Sequence, residues 1–221
     1  MKKLILTAML ALALTQAGNA QNINWRSLKE GQRNIVQINP GFDFGFTAQV
    51  GYARSFEMFR PVIAGIDITI PSGNDLFDDF KVRLGGQMEV VQIDGFSATI
   101  KILGVFRRYQ SDLVRVGSFG ADMGLVAGYY QETWYAAGEF GFDKAVATNL
   151  RHTALMKSMY PGIRDGWYVP TGGHYYFGVQ GGKTLGDLFE ISLRGGYTRA
   201  QKHDENAVVP YYAQLGVGVR F

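Results

Sequence analysis

Between Ile35 and Tyr52 every second side chain is apolar: Val36, Ile38, Pro40, Phe42, Phe44, Phe46, Ala48, Val50 and Tyr52 share one face of an extended chain. The other face carries Ile35, Gln37, Asn39, Gly41, Asp43, Gly45, Thr47, Gln49 and Gly51. A period of two over this length is a strand signature, because helical apolar positions recur every three or four residues. Read as one strand, the run would reach nearly 60 Å at about 3.3 Å per residue. The C-terminal segment repeats the pattern, with Tyr211, Ala213, Leu215, Val217, Val219 and Phe221 facing one way and Tyr212, Gln214, Gly216, Gly218 and Arg220 the other.

Seven further segments alternate between these two, over 61–71, 79–92, 96–107, 119–129, 134–144, 175–184 and 189–199. In each, one face is apolar and the other polar, and over the seven the polar faces average about one or two charges per strand, diluted by glycine. A water-soluble sandwich would wet the polar faces, yet these are thin in charge and rich in glycine, with 29 Gly in 221 residues. Turned inside out, the pattern suits a closed antiparallel transmembrane β-barrel, apolar residues toward lipid and a polar, Gly-rich lumen. Closure follows, since hydrocarbon offers nothing to an unpaired strand edge. The expected class is therefore all-β, with 8–10 strands and ten favoured.

The N-terminus supports an exported chain. Met1-Lys2-Lys3, the apolar run Leu4 to Leu14 and the small-residue end Gly18-Asn19-Ala20 form the three parts of a signal peptide. The expected organisation is a signal peptide over 1–20, an N-terminal segment over 21–34 and the barrel over 35–221. Without Lys2 and Lys3, 20 basic residues face 19 acidic ones, so no basic surface for nucleic acid is expected. With no Cys, disulfides, thiolate metal sites and a thiol nucleophile are excluded.

The links between segments alternate in length. Those around Ser55–Arg60, Asp94-Gly95, Gln131–Thr133 and Leu185–Leu188 are short; those around Ser72–Asp78, Tyr109–Gly117, Ala147–Gly172 and Lys202–Val208 are longer. Bacterial barrels keep short turns in the periplasm and long loops outside. Phe221 and Asp94-Gly95 are thus expected at the periplasmic rim, and Asn74-Asp75, His152 and His203-Asp204 outside. Nine segments make an odd number, and the first would then begin outside. A weak alternation over Asn22–Arg26, turning at Glu30-Gly31-Gln32, supplies the tenth expected strand.

The final Gly216-Val217-Gly218-Val219-Arg220-Phe221, together with the export signal and the alternation, resembles bacterial outer-membrane β-barrel proteins. Leu76-Phe77-Asp78-Asp79-Phe80-Lys81, Gly138-Glu139-Phe140-Gly141-Phe142-Asp143-Lys144-Ala145 and Asp165-Gly166-Trp167-Tyr168 are similar to segments of small barrels from Bacteroidetes-type bacteria. The resemblance implies an outer-membrane location after export to the periplasm, and outer-membrane lipid as surroundings. It further implies that the barrel-assembly machinery reads Phe221. It carries no catalytic residue and no cofactor with it.

The expected lumen charges are Asp43, Asp67, Lys81, Arg83, Glu89, Lys101, Arg107, Asp122, Glu139, Asp143, Glu190, Arg194 and Arg220. Both signs occur in similar numbers, and in a narrow lumen they should pair, because an isolated buried charge is expensive. That favours a plugged, non-enzymatic barrel acting in envelope structure or in surface interaction with a protein or ligand through its outer loops. A narrow channel for ions or small solutes is the alternative, and a lipid or peptide hydrolase using the rim histidines His152, His174 and His203 is a second. Ser158 or Asp204 would be their partners, and Asp75, Asp78 and Asp79 the acids opposite. No catalytic, metal or cofactor residue is assigned, since none of these sets has the spacing of a known site. Leu150–Met159 is expected to form a short helix ended by Pro161-Gly162.

Overall fold

The computed structural model describes residues 23–73, 77–169, 172–201 and 209–221, which leaves the expected signal peptide outside the described residues. Eleven strands follow in chain order: β1 (Asn34–Phe42), β2 (Phe46–Glu57), β3 (Pro61–Pro71), β4 (Asp79–Ile93), β5 (Phe96–Gln110), β6 (Val114–Tyr130), β7 (Trp134–His152), β8 (Gly166–Tyr168), β9 (Gly173–Leu185), β10 (Phe189–Ala200) and β11 (Tyr211–Arg220). One short helix, α1 (Ala154–Met159), lies between β7 and β8.

Every barrel strand pairs antiparallel with its sequence neighbour, β7 passing over the small β8 to pair with β9. The β1–β11 ladder, with Ile35 opposite Arg220, joins the two ends of the chain, and the β6–β7 ladder completes the circle. The barrel is closed and has ten strands, because β8 only borders the far end of β7.

The tenth strand is not where the sequence sets it. Residues 25–27 form a 3-10 turn and contribute no strand. The run 35–52 is instead a hairpin, β1 and β2 joined through Asp43-Phe44-Gly45, with Phe42 opposite Phe46. An odd three-residue connection between residues of like parity preserves which face each looks to, so the alternation runs through the turn unbroken. β1 consequently starts beside Phe221 at the short-turn end, where the Asn34 N–H donates to the Phe221 carbonyl at 2.8 Å.

Facing follows the inverted pattern. Outward Phe46, Leu193 and Val179 are 60%, 63% and 69% exposed, whereas inward Gln49 and Asp67 are almost completely buried. Rings border the outward surface at both ends: Tyr129 and Trp134 (6.0 Å between centroids) near the short turns, and Phe42–Tyr211 (5.7 Å), Phe177–Tyr197 (6.0 Å) and Phe106–Phe119 (4.9 Å) near the long loops. From Phe96 to Phe106 on β5 the rise is about 33 Å along a strand tilted by about 40°, or roughly the 25 Å height of an outer-membrane apolar band.

The strands of the β6–β7 hairpin, at 17 and 19 residues, run beyond the expected 119–129 and 134–144. Leu150 accordingly belongs to β7, and the helix starts only at Ala154, where the Thr153 hydroxyl accepts from the Met156 N–H at 3.4 Å.

Ile102 faces outward halfway between Phe96 and Phe106 and is 59% exposed. Ile102→Arg should destabilise the folded barrel by about 2–4 kcal/mol, measured by urea titration in lipid vesicles, while a cation at either rim costs about 0–1 kcal/mol. Equal losses at both depths would contradict the lipid-facing assignment.

Candidate functional site

A belt of polar side chains crosses the lumen, and each of the ten barrel strands contributes one member: Asn39, Gln49, Asp67, Arg83, Lys101, Asp122, Glu139, Tyr176, Arg194 and Gln214. All ten are buried. The Asn39 amide donates to Gln49 Oε1 at 3.1 Å, and the Gln49 amide donates to Asp67 Oδ1 at 3.2 Å. Arg83 Nε meets Asp67 Oδ2 at 2.9 Å. In the other direction the Gln214 amide donates to Gln49 Oε1 at 3.4 Å, Arg194 Nη1 donates to Gln214 Oε1 at 3.4 Å, and Arg194 Nε donates to Glu139 Oε1 at 2.6 Å. On the far side the Tyr176 hydroxyl donates to Asp122 Oδ1 at 2.7 Å, and Lys101 Nζ lies 3.2 Å from Asp122 Oδ2.

Three carboxylates, Asp67, Asp122 and Glu139, thus face three cations, Arg83, Lys101 and Arg194. Aromatic faces complete the belt: the Arg194 guanidinium lies 4.6 Å from the Tyr212 ring centroid, and Lys101 Nζ 5.0 Å from that of Tyr176. The Tyr212 hydroxyl also donates to Glu139 Oε1 at 2.6 Å. Glycine makes room for both rings, since a methyl at Gly141 would collide with Tyr176 and one at Gly178 with the Tyr212 hydroxyl.

The short-turn mouth is stopped by residues 23–33. Asn24 donates to the Gln131 carbonyl at 2.6 Å, Arg26 to that of Asp94 at 3.3 Å and Gln32 to that of Asp187 at 2.9 Å. Lys29 Nζ lies 2.5 Å from Asp187 Oδ1. Ile23 packs with the inward Ile35, Ala53 and Ile63, and Leu28 closes over them. Arg220 ties cork to wall: it donates to the Ser27 carbonyl and the Thr184 hydroxyl, both at 3.0 Å, and pairs with Glu190. Glu89 takes a hydroxyl partner, Ser97. Beside them Tyr130 and Tyr135 stack at 5.3 Å against Val126 and Ala137. Neither this apolar pair nor the cork is visible in an alternation read as polar throughout.

At the long-loop mouth, Lys81 Nζ sits 2.8 Å from Asp43 and Arg107 Nη2 2.8 Å from Asp79. Phe44, expected to face lipid, instead turns in at the hairpin tip. Its ring lies 4.2 Å from the Arg107 guanidinium and 5.2 Å from Lys81 Nζ. The reason is the three-residue turn, whose central residue belongs to neither strand and is free of their facing rule.

Among the described residues, the rim histidines His152 and His174 are each placed beside a carboxylate. His174 Nε2 is 3.8 Å from Asp143, which places Asp143 at the mouth and outside the belt. His152 Nδ1 is 2.9 Å from Asp165 Oδ1. The Ser158 hydroxyl donates to the Leu155 carbonyl within α1, and Asp79 is held by Arg107. Asp75, His203 and Asp204 lie outside the described residues. Among the described residues no three His, Asp or Glu side chains gather as a metal site would require. Phe221 stands at the short-turn rim, with its side chain exposed.

The chain is similar to the solved structure of the outer membrane protease OmpT from Escherichia coli, with a TM-score of 0.50 and 12% identity over 88% of this chain and 98% of that one. The likeness is one of fold: a closed ten-stranded outer-membrane barrel. The fold and this neighbour together point to the bacterial outer membrane. No family model matches the chain, and no curated protein does.

Two outcomes test the site. Glu139→Leu leaves Arg194 buried without its carboxylate and should cost about 3–5 kcal/mol in urea unfolding, whereas Glu139→Leu with Arg194→Met should recover most of that loss. In the outer loop, the His152 N–H and the Lys157 and His152 side chains hold the Asp165 carboxyl well below its ordinary range. A group with a depressed folded value stabilises above its unfolded value, and that support fades only as pH falls through the folded one. Carboxyl NMR titration should find Asp165 still charged where exposed carboxylates protonate, with its midpoint rising in Lys157→Ala; an ordinary midpoint in the wild type would refute this.

Proposed function

We propose that the protein is a sealed, non-conducting outer-membrane barrel without enzymatic activity, serving envelope structure or surface interaction through its long-loop end. The observation carrying this reading is the belt, one residue from each barrel strand, with charges balanced three against three. Barrels of about eight strands are just wide enough for their own side chains and aqueous channels belong to barrels of about 16, and ten strands stand near the narrow end of that range. The cork over 23–33 and the Phe44 cover repeat the obstruction at both mouths.

In this reading residues 1–20 are the export signal, Phe221 is what the assembly machinery recognises, and the long loops face outward. A hydrolytic role gains nothing from the fold it shares with a protease. Ser158 is committed to its own helix, and the two described rim histidines each face a carboxylate, Asp165 for His152 and Asp143 for His174.

Planar-bilayer recording of the refolded barrel decides between plug and pore. The expected record is silent, and it should stay silent when residues 21–33 are removed, because the belt remains. Discrete conductance steps that change with Arg194→Ala would overturn the proposal.

A further inference from the structure

Three arginines stand together on the outward face of the long-loop end. Arg115 on β6 lies directly opposite Arg151 on β7, and Gln110 on β5 directly opposite Arg115. Arg108 is two residues along β5, its guanidinium donating to Gln110 Oε1 at 2.9 Å. Like charges facing each other across a ladder repel. All three are exposed, and among the described residues none forms an ion pair with a carboxylate. Asp165, the acid on the neighbouring loop, is occupied by Lys157 at 2.5 Å and by His152; Asp112 lies in the turn between β5 and β6.

A defect in the ladder creates this juxtaposition. The register slips on β7, where Phe119 pairs with Ala147 but Gly120 with Ala145, so that Val146 is a bulge. Before the bulge the odd residues Glu139 and Asp143 look into the lumen; after it Thr148 does, reaching the Ser118 hydroxyl at 2.9 Å. Arg151 is thereby turned outward to meet Arg115.

Height supplies the ligand. Immediately below the arginines runs the aromatic border, Phe106–Phe119 at 4.9 Å and Phe119–Trp167 at 6.1 Å. Trp167 is brought there by β8, opposite Asn149 on β7. Arg108 sits one facing pair, about 6.6 Å along the strand, beyond Phe106, which is where hydrocarbon gives way to headgroups. Guanidinium groups bind phosphate oxygens in bidentate fashion, and interfacial rings anchor the chains beneath.

We propose that Arg108, Arg115 and Arg151 form a docking surface for a phosphate-bearing lipid of the outer leaflet, gripped by its headgroup phosphate with its chains against Phe106, Phe119 and Trp167. The proposal rests on the reading above only for which end faces outward, and is independent of whether the barrel conducts.

The test uses the full barrel refolded into the phosphate-free detergent dodecyl maltoside containing a minor fraction of bis-phosphorylated lipid A, with retained lipid counted by native mass spectrometry after detergent exchange. Wild-type protein should keep bound lipid A. The triple variant Arg108→Gln, Arg115→Gln, Arg151→Gln should retain at least about tenfold less, as expected for losing charge-assisted contacts. Arg199→Gln, which removes an exposed arginine elsewhere on the same end, should match wild type. Dephosphorylated lipid A should be lost from all three proteins, and millimolar inorganic phosphate should not displace the bound lipid. Folding of each variant is checked by heat-modifiable migration, and if the triple variant fails it, the dephosphorylated lipid in the wild type still gives the answer. Equal retention with and without the phosphates, equal retention by the folded triple variant, or displacement by free phosphate would each overturn the assignment. A conductance step in the bilayer would leave it standing, so the two readings fail separately.

Discussion

Three carboxylates and three cations held inside a wall that itself stands in lipid have only one another and the neutral polar side chains of the lumen for partners. Water outside the barrel is beyond the hydrocarbon, and among the described residues 23–33 lie across one end and Phe44 turns in at the other. The cost of removing these charges from solvent is large, and it is met only when partners and hydrogen bonds are complete. Much of the barrel follows from that demand. Every strand must bring its residue to the same height, which ties the register of all ten ladders together. Glycine must recur on the inner face, because Tyr176 and Tyr212 cannot lie across the lumen otherwise. The belt residue on each strand is therefore as much a constraint on register as the backbone ladders are.

The two mouths meet the same demand differently. At the short-turn end what meets it is a piece of chain from outside the barrel, whose Ile23 and Leu28 share a small apolar cluster with the wall and which Arg220 ties to the wall. At the long-loop end it is a turn bent inward, with an aromatic face over two cations. One is held by burial and carbonyl acceptors, the other by charge and ring.

Facing and closure were legible in the sequence because parity is local: Asp67, Arg83, Lys101 and Glu190 each sit between apolar neighbours, and that suffices to send them inward. What was hidden is whatever leaves parity untouched or resets it. The Asp43-Phe44-Gly45 turn preserves it, so two strands read as one and the missing tenth was sought in Asn22–Arg26. The Val146 bulge resets it, so Arg151 ends on the opposite face from the one simple counting gives. Phe44 lies at a turn tip, where alternation has no authority. Residues 23–33 carry no periodicity beyond the weak alternation at their start, since their place is fixed by contacts with distant carbonyls at Asp94, Gln131 and Asp187. The pairing of partners within the lumen, such as Arg194 with Glu139 rather than with another carboxylate, depends on ladder offsets that no single strand encodes.

The hairpins β1–β2 and β6–β7 differ greatly in length, at 9 and 12 residues against 17 and 19. Counting round the sheet, they stand on opposite sides of the circle. The rim is therefore oblique, a low sill facing a high parapet. A bulky molecule skimming the membrane meets the parapet from one direction and finds the threshold, with Asp43 and Phe44 on it, only from the other. A cylinder that looks symmetrical in its strand order thus has a front and a back.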